Sequence, residues 1–201
     1  MPSADVVVIG GGANGTSTAY HLASLGVTSV VLLERRHLAA GATGKSGSLV
    51  RTHYTNEAES RLAFESLKVF HDFETLVGGH AGFERVGFVQ IVPRGYEEAL
   101  RKNVERHRRI GIDTQVLSRD ELAHLLPGCY ADDVGAAAYE PSSGFADPNA
   151  TTFAFAEAAR RLGVRLRLGC QATRIVTQRE RVVAVETTDG RVDTPTVVVA
   201  A

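Results

Sequence analysis

The chain has 201 residues, 44% of them hydrophobic and 22% charged, with a formal net charge of −1 and two cysteines. These values describe a globular protein with a buried core, and the balanced charge carries no footprint of a nucleic-acid or anionic-membrane binder. No apolar run approaches the ~20 residues that cross a bilayer, and the start "MPSADVVV" lacks the basic and long apolar regions of a secretory signal. A cytoplasmic protein is therefore expected. Cys129 and Cys170 have no metal or redox spacing and read as reduced thiols, with no metal expected.

Val6–Ile9 is a consecutive apolar run, the pattern of a strand buried on both faces of a parallel sheet. A helix is predicted from about Asn14, with Ala19, Leu22 and Leu25 on its inner face and Gly26 as its left-handed cap. "SVVLLE" is the second strand and ends at Glu34, which completes a parallel crossover unit. The stretch "RRHLAAGATGKSGSLVR" is rich in Gly, Ser and Thr and reads as an ordered loop. One long helix is predicted from Glu57 to Leu76, with Leu62, Val69, Phe70, Phe73 and Leu76 at helical spacing.

"FERVGFVQIVP" is a two-sided strand stopped by Pro93, and "YEEALRKNVERHRR" is a helix capped by Gly111. Its early glutamates and late arginines complement the helix dipole. "SRDELAHLLP" carries a capping box, Ser118 with Glu121. "GAAAYEP" is a strand and "SSGFADP" a loop, after which Asp147 and Pro148 open a helix that ends near Leu162 with Gly163 as its cap. "VRLRL" is predicted as a third parallel strand. "ATRIVTQ", "RVVAVETT" and "RVDTP" form an antiparallel meander, with Asp189-Gly190 as a hairpin signal. "TVVVAA" returns to the sheet as a strand that stops abruptly, so the chain is expected to be a piece of a longer protein, with strand edges that invite association.

Gly10, Gly12 and Gly15 spell G-x-G-x-x-G between the first strand and first helix. The first allows a tight turn, the second a close approach of pyrophosphate to the backbone, and the third close helix–strand packing. The helix start, with Ala13 and Asn14, then aims unpaired N–H groups at phosphate. Glu34, about twenty residues on, stands where a carboxylate accepts hydrogen bonds from ribose hydroxyls and repels a 2′-phosphate. That leaves NAD or FAD. The loop after the second strand, the long excursion and the meander are the FAD arrangement.

"GATGKSGSLVRTHYTN" supplies free backbone amides, the hydroxyls of Thr43, Ser46 and Ser48 and the charge of Lys45, a composition suited to gripping a diphosphate. With "VVVIGGGANGTSTAYHLASLG", "VVLLER", "GFADP", "AARRLGVRL" and "VVVAA", the chain resembles the FAD-dependent amine and amino-acid oxidoreductases grouped with D-amino acid oxidase. Within that family it looks most like the sarcosine oxidase β-subunit and dimethylglycine dehydrogenase branches.

The resemblance implies an α/β fold: a Rossmann-like FAD-binding domain (1–82 and 145–201) interrupted by part of an antiparallel α+β substrate domain (83–144). It implies that Gly10, Gly12 and Gly15 line the FAD diphosphate, Glu34 the ribose and Arg35 the adenine side. Thr43, Gly44, Lys45 and Ser46 would contact the diphosphate and ribityl region, the Ala172 backbone would meet adenine, and Ala200 would lie beside the dinucleotide. Arg51 matches an arginine near the flavin, where a cation favours a substrate carboxylate, and His53 is a second catalytic candidate. Gly44 and Ser48 stand where monomeric sarcosine oxidases carry a histidine and a second arginine, and no histidine occurs between Gly144 and Leu162 for attachment of a second flavin. The implied reaction is hydride transfer from a C–H beside an amine or amino-acid nitrogen to FAD, with oxygen or another acceptor taking the electrons, carried out by the full-length protein. A non-catalytic dinucleotide-binding module and an NAD-linked dehydrogenase are the alternatives.

Overall fold

The structure, a computed structural model, describes residues 3–201. In chain order the elements are β1 (Val6–Ile9), α1 (Ala13–Ser24), β2 (Val30–Glu34), a 3-10 turn (Thr43–Lys45), β3 (Leu49–Val50), α2 (Glu57–His71), α3 (Phe73–Leu76) and β4 (Phe88–Pro93). There follow α4 (Glu97–Ile110), β5 (Gln115–Leu117), α5 (Arg119–Leu125), β6 (Val134–Glu140), β7 (Gly144–Phe145) and α6 (Pro148–Arg161). The chain closes with β8 (Arg165–Leu168), β9 (Ala172–Gln178), β10 (Arg181–Thr187), β11 (Gly190–Asp193) and β12 (Val197–Val199).

The contacts divide the chain into two units. One holds the chain up to Ser48 with Phe73–Gly82 and Asp147–Ala201; the other holds Leu49–Asp72 and Phe83–Ala146. The segment expected as 1–82 is thus divided. Leu49 and Val50 pair with Phe145 and Gly144, and α2 packs on α4, which draws Leu49–Asp72 into the second unit.

The first unit is built on a parallel sheet in the order β12-β1-β2-β8. Alternate residues of its central strands serve two cores. Val7, Val31 and Leu33 pack with Val185 and Val192 of the meander β9–β11, while Val6, Val8, Val30 and Leu32 pack with Ala19 of α1 and Ala159 of α6. A strand covered on both sides has no polar face to show, which is why β1 reads as an unbroken apolar run. Leu25, expected on the inner face of α1, is 84% exposed. It is the C-cap, just beyond the last helical turn, and has left the register of the buried stripe.

The predicted helix Glu57–Leu76 is two helices. Asp72 leaves the helical region at φ −124, ψ 35, and Phe73 packs edge-on against Phe155, ring centroids 5.1 Å apart, in the first unit. Leu62 and Leu76, expected in its apolar stripe, are exposed. Local periodicity does not reveal a break that tertiary packing imposes. The Ser118–Glu121 capping box is present with both hydrogen bonds, and Asp147 caps α6 with Pro148 in its first turn. Phe145 and Gly144, expected in a loop, form the short ladder with β3.

The β9–β10 hairpin turns on Arg179 and Glu180, at φ 47° and 62°. A two-residue turn with both residues left-handed favours Asn-Gly, and neither present residue is suited to it. Replacing Arg179 by Asn together with Glu180 by Gly is expected to stabilise the protein by about 1 kcal/mol, a rise of roughly 2–4 °C in Tm. Thermal unfolding checks it, and an unchanged or lower Tm contradicts it.

The second unit carries an antiparallel sheet in the order β4-β6-β5. Ala136 and Ala138 of β6 face Leu100 and Val104 of α4, and Ala137 faces Leu117 and Leu122 on the other side. Strand alternation then directs Glu140 to the α4 side.

Candidate functional site

The C-terminal ends of β1 and β2, the N-terminus of α1, and the chain before β9 and after β12 surround a cleft of about 440 Å³ in the first unit. This is the place where an open parallel sheet exposes its strand ends to a ligand. Gly10 sits at φ +115, and its amide donates to the Leu33 carbonyl at 2.8 Å. A Cβ on Gly15 would lie 1.9 Å from the Gly10 carbonyl oxygen, so only glycine lets α1 come this close to the turn. α1 has no side-chain cap at Gly12. Its Ala13 amide donates to Thr43 Oγ1 at 3.1 Å, and the amides of Gly12 and Asn14 have no partner among the described residues.

Glu34 closes the other wall. Its Oε2 accepts from the Gly11 amide at 2.8 Å and its Oε1 from the Arg36 amide at 2.7 Å. Each oxygen keeps a second lone pair for a ligand hydroxyl. Of the residues expected at the cofactor, Gly10, Gly12, Asn14, Glu34, Arg35, Thr43, Ala172 and Ala200 line the cleft. Ala13, Gly15, Gly44, Lys45, Ser46 and Ser48 are not among its lining residues. Gly44 closes a turn instead: its amide donates to the Ala39 carbonyl at 3.0 Å, where a Cβ would lie 2.4 Å from that oxygen. Lys45 and Ser46 are exposed, and Ser46 Oγ accepts the Ser48 amide at 2.9 Å, with Ser48 at φ 46. Sequence reasoning missed Gly11, although it stands within the glycine run. A Cβ there would meet the Glu34 side chain at 2.8 Å. It also missed Arg36 and Gln171, which line the cleft.

Arg51 and His53 belong to the second unit. The half-buried Arg51 guanidinium lies over the rings of Tyr54 and Phe88, 4.6 and 5.4 Å from their centroids, and donates to the His53 carbonyl. His53 is buried. Its Nδ1 is 3.5 Å from Glu140 Oε1, and its Nε2 is 3.1 Å from Asn103 Nδ2. His107 Nδ1 faces the same oxygen at 3.9 Å, and His107 Nε2 donates to the Tyr54 carbonyl at 2.9 Å. Glu140 Oε2 accepts from the Thr52 amide at 3.0 Å and from the Ser143 hydroxyl at 2.9 Å.

Burial alone would raise the Glu140 pKa, but the hydrogen bonds from His53, Thr52 and Ser143 outweigh it and hold the carboxyl below its usual range. Burial lowers the pKa of His107. His53, His107 and Glu140 offer ligand atoms within 4.8 Å of one another, the composition of a His₂Glu metal centre. The hydrogen-bond polarity points elsewhere. Arg106 donates to Asn103 Oδ1 at 3.0 Å, which turns the Asn103 amide nitrogen toward His53 Nε2. This network assigns the His53 proton to Nδ1, facing Glu140. The cluster therefore reads as a hydrogen-bonded chain from Arg106 through Asn103 to His53, whose Nδ1 faces Glu140 Oε1 at 3.5 Å. A sequence signal for it exists: Leu100, Asn103, Val104 and His107 share one helical face, so two polar residues sit in an apolar stripe.

The family model described as FAD dependent oxidoreductase matches residues 5–201. The chain belongs to this family. Mouse mitochondrial sarcosine dehydrogenase is 34% identical over 206 residues, covering 98% of this chain and 22% of that protein. The mouse mitochondrial pyruvate dehydrogenase phosphatase regulatory subunit is 30% identical over 191 residues, covering 94% of this chain and 22% of that protein. Among solved structures, L-proline dehydrogenase from P. horikoshii superposes with a TM-score of 0.90 at 27% identity, covering 100% of this chain and 54% of that one. The chain thus spans about a fifth of the length of these curated relatives and about half of the solved structure.

FAD is the cofactor of the family, so the NAD-linked alternative falls away. The first unit fits that group on its own terms. Unpartnered amides stand at the start of α1, no Cβ fills the turn beside them, and a carboxylate with free lone pairs lies at the end of β2. No helix among the described residues is long and apolar enough to cross a membrane.

Proposed function

We propose that the full-length protein oxidises a small secondary or tertiary amine or amino acid, of the sarcosine or dimethylglycine kind, with FAD held in the cleft of the first unit. The observation that carries this reading is the match of the FAD-dependent family over nearly the whole chain, on a cleft built of open amides and the Glu34 carboxylate. FAD, when bound, supplies a hydride acceptor for the C–H beside the substrate nitrogen, and oxygen or another acceptor then removes the electrons.

The chain's own residues bind and orient. The Gly12 and Asn14 amides and the α1 dipole hold the diphosphate, and Gly10 and Gly15 keep the turn tight. Glu34 takes the ribose hydroxyls, the Ala172 backbone and Arg35 flank the adenine, and Ala200 borders the dinucleotide. Thr43 fixes the first turn of α1. Arg51 recognises the substrate carboxylate as a fixed cation. His53, hydrogen-bonded at Nε2 to Asn103 and with Nδ1 facing Glu140, supports this segment. The sarcosine dehydrogenase relative supports an amine substrate. A second reading has its own observation: a relative of nearly equal identity is named as a regulatory subunit. Under that reading the protein binds FAD without turnover.

Purification of the full-length protein followed by anaerobic addition of sarcosine, dimethylglycine, proline and other amino acids separates the two. Stoichiometric FAD whose absorbance bleaches with one of these supports oxidation. Bound FAD that no amine bleaches supports the regulatory reading, and absence of FAD overturns both.

A further inference from the structure

We infer that Glu140 is a positioning residue for Arg51, acting through the backbone and ring of the segment Arg51–Tyr54; this rests on the substrate-carboxylate role proposed for Arg51. The segment has no regular secondary structure, yet its backbone is clamped at successive residues. Glu140 Oε2 holds the Thr52 amide, and Glu140 Oε1 faces the His53 ring. His107 and Ser60 hold the Tyr54 carbonyl, and Arg106 holds the Thr55 carbonyl. The Arg51 guanidinium rests on what these clamps fix, namely the His53 carbonyl and the Tyr54 ring, with Phe88 on the opposing strand.

A buried carboxylate is costly to keep ionised and is retained only where its oxygens are well used. Glu140 is 1% exposed and has no Lys or Arg ion-pair partner among the described residues. Its oxygens instead face three donors in the proper sense: Thr52 N–H, Ser143 O–H and His53 Nδ1–H. Glutamine at this place is nearly isosteric but must turn its amide N–H₂ toward a donor, either Thr52 N–H or His53 Nδ1–H. The clamp loses one side while the packing of Ala136, Ala138 and Val104 is kept.

The test compares Glu140→Gln, Ser143→Ala, Arg51→Lys and the double variant Arg51→Lys/Glu140→Gln in the full-length protein. FAD content is read as a folding control. In Glu140→Gln, kcat/KM for a carboxylate-bearing amine is expected to fall about 10- to 100-fold, mainly through KM, with little change for an amine lacking the carboxylate. Ser143→Ala, which keeps the charge and removes one hydrogen bond, is expected to give a smaller shift of the same kind. The double variant is expected to be no worse than the more impaired single variant, because the two residues act on one contact.

Additive losses, or equal losses on both substrates, overturn the proposal. If Arg51→Lys itself leaves carboxylate preference untouched, the Arg51 reading has failed instead. A crystal structure of Glu140→Gln decides independently of turnover. The guanidinium is expected to leave the Tyr54 and Phe88 rings, and an unmoved guanidinium overturns the inference.

Discussion

Replacing Gly15 by alanine is expected to abolish flavin retention by the full-length protein. The new methyl would lie 1.9 Å from the Gly10 carbonyl oxygen, and that oxygen belongs to the backbone turn itself. No rotamer relieves such a contact; either α1 moves away from β1 or the turn opens. α1 is held on the same face one turn further along, where Ala19 is fully buried in one core with Val6 and Val8 of β1 and Ala159 of α6. The cost falls on both stability and the site, at about 3 kcal/mol or more. The amides of Gly12 and Asn14 shift with the helix, so flavin affinity falls with it. Bound flavin after gel filtration, together with Tm, checks the outcome. A variant that keeps stoichiometric flavin and an unchanged Tm would show that the turn tolerates opening.

The second large effect is expected at Glu34. In Glu34→Ala the amides of Gly11 and Arg36 lose their acceptors, and the cleft loses its carboxylate. A hydrogen bond to a charged group contributes roughly 1.5–3 kcal/mol, so loss of one such bond to a ribose hydroxyl is expected to lower FAD affinity about 10- to 150-fold. Glu34→Gln should be nearly as poor. Its amide nitrogen must face one of two backbone donors, since the two oxygens of Glu34 each already accept one. Reconstitution of the apoprotein with FAD, followed by flavin fluorescence, gives both affinities. Wild-type affinity in the glutamine variant would place the ribose away from this side chain.

What the sequence disclosed follows from how local each cause is. The Ser118 box and the Asp147–Pro148 start of α6 are complete within four residues, and both stand where expected. The apolar run of β1 is legible because the strand is covered on both faces. The break at Asp72 has no glycine or proline to announce it, because the cause is the packing of Phe73 against a distant helix. The Arg179–Glu180 turn is silent for the same reason: its left-handed geometry is enforced by the register of β9 and β10 rather than by turn residues.

At the site, the glycine turn and Glu34 were legible because their spacing belongs to one crossover unit. The loop 41–48 was read too evenly. Hydroxyls and a lysine in sequence suggest a continuous grip, but the Gly44–Ala39 hydrogen bond folds the loop so that Gly41, Ala42 and Thr43 line the cleft while Lys45 and Ser46 do not. The cluster of His53, His107 and Glu140 comes from an irregular segment, a helix and a strand far apart in the chain, and only tertiary packing brings them together.

The cradle joins the two ends of the described chain, since Val7 pairs with Val197 and Ala200 donates to the Ile9 carbonyl. On the ribosome, β1 emerges early and waits roughly 10–40 s for β12 at ordinary synthesis rates. During that interval the nascent chain holds a bare apolar strand edge, a natural client for chaperones. Flavin uptake is therefore expected no earlier than the emergence of β12, since the chain after it supplies one wall of the cleft.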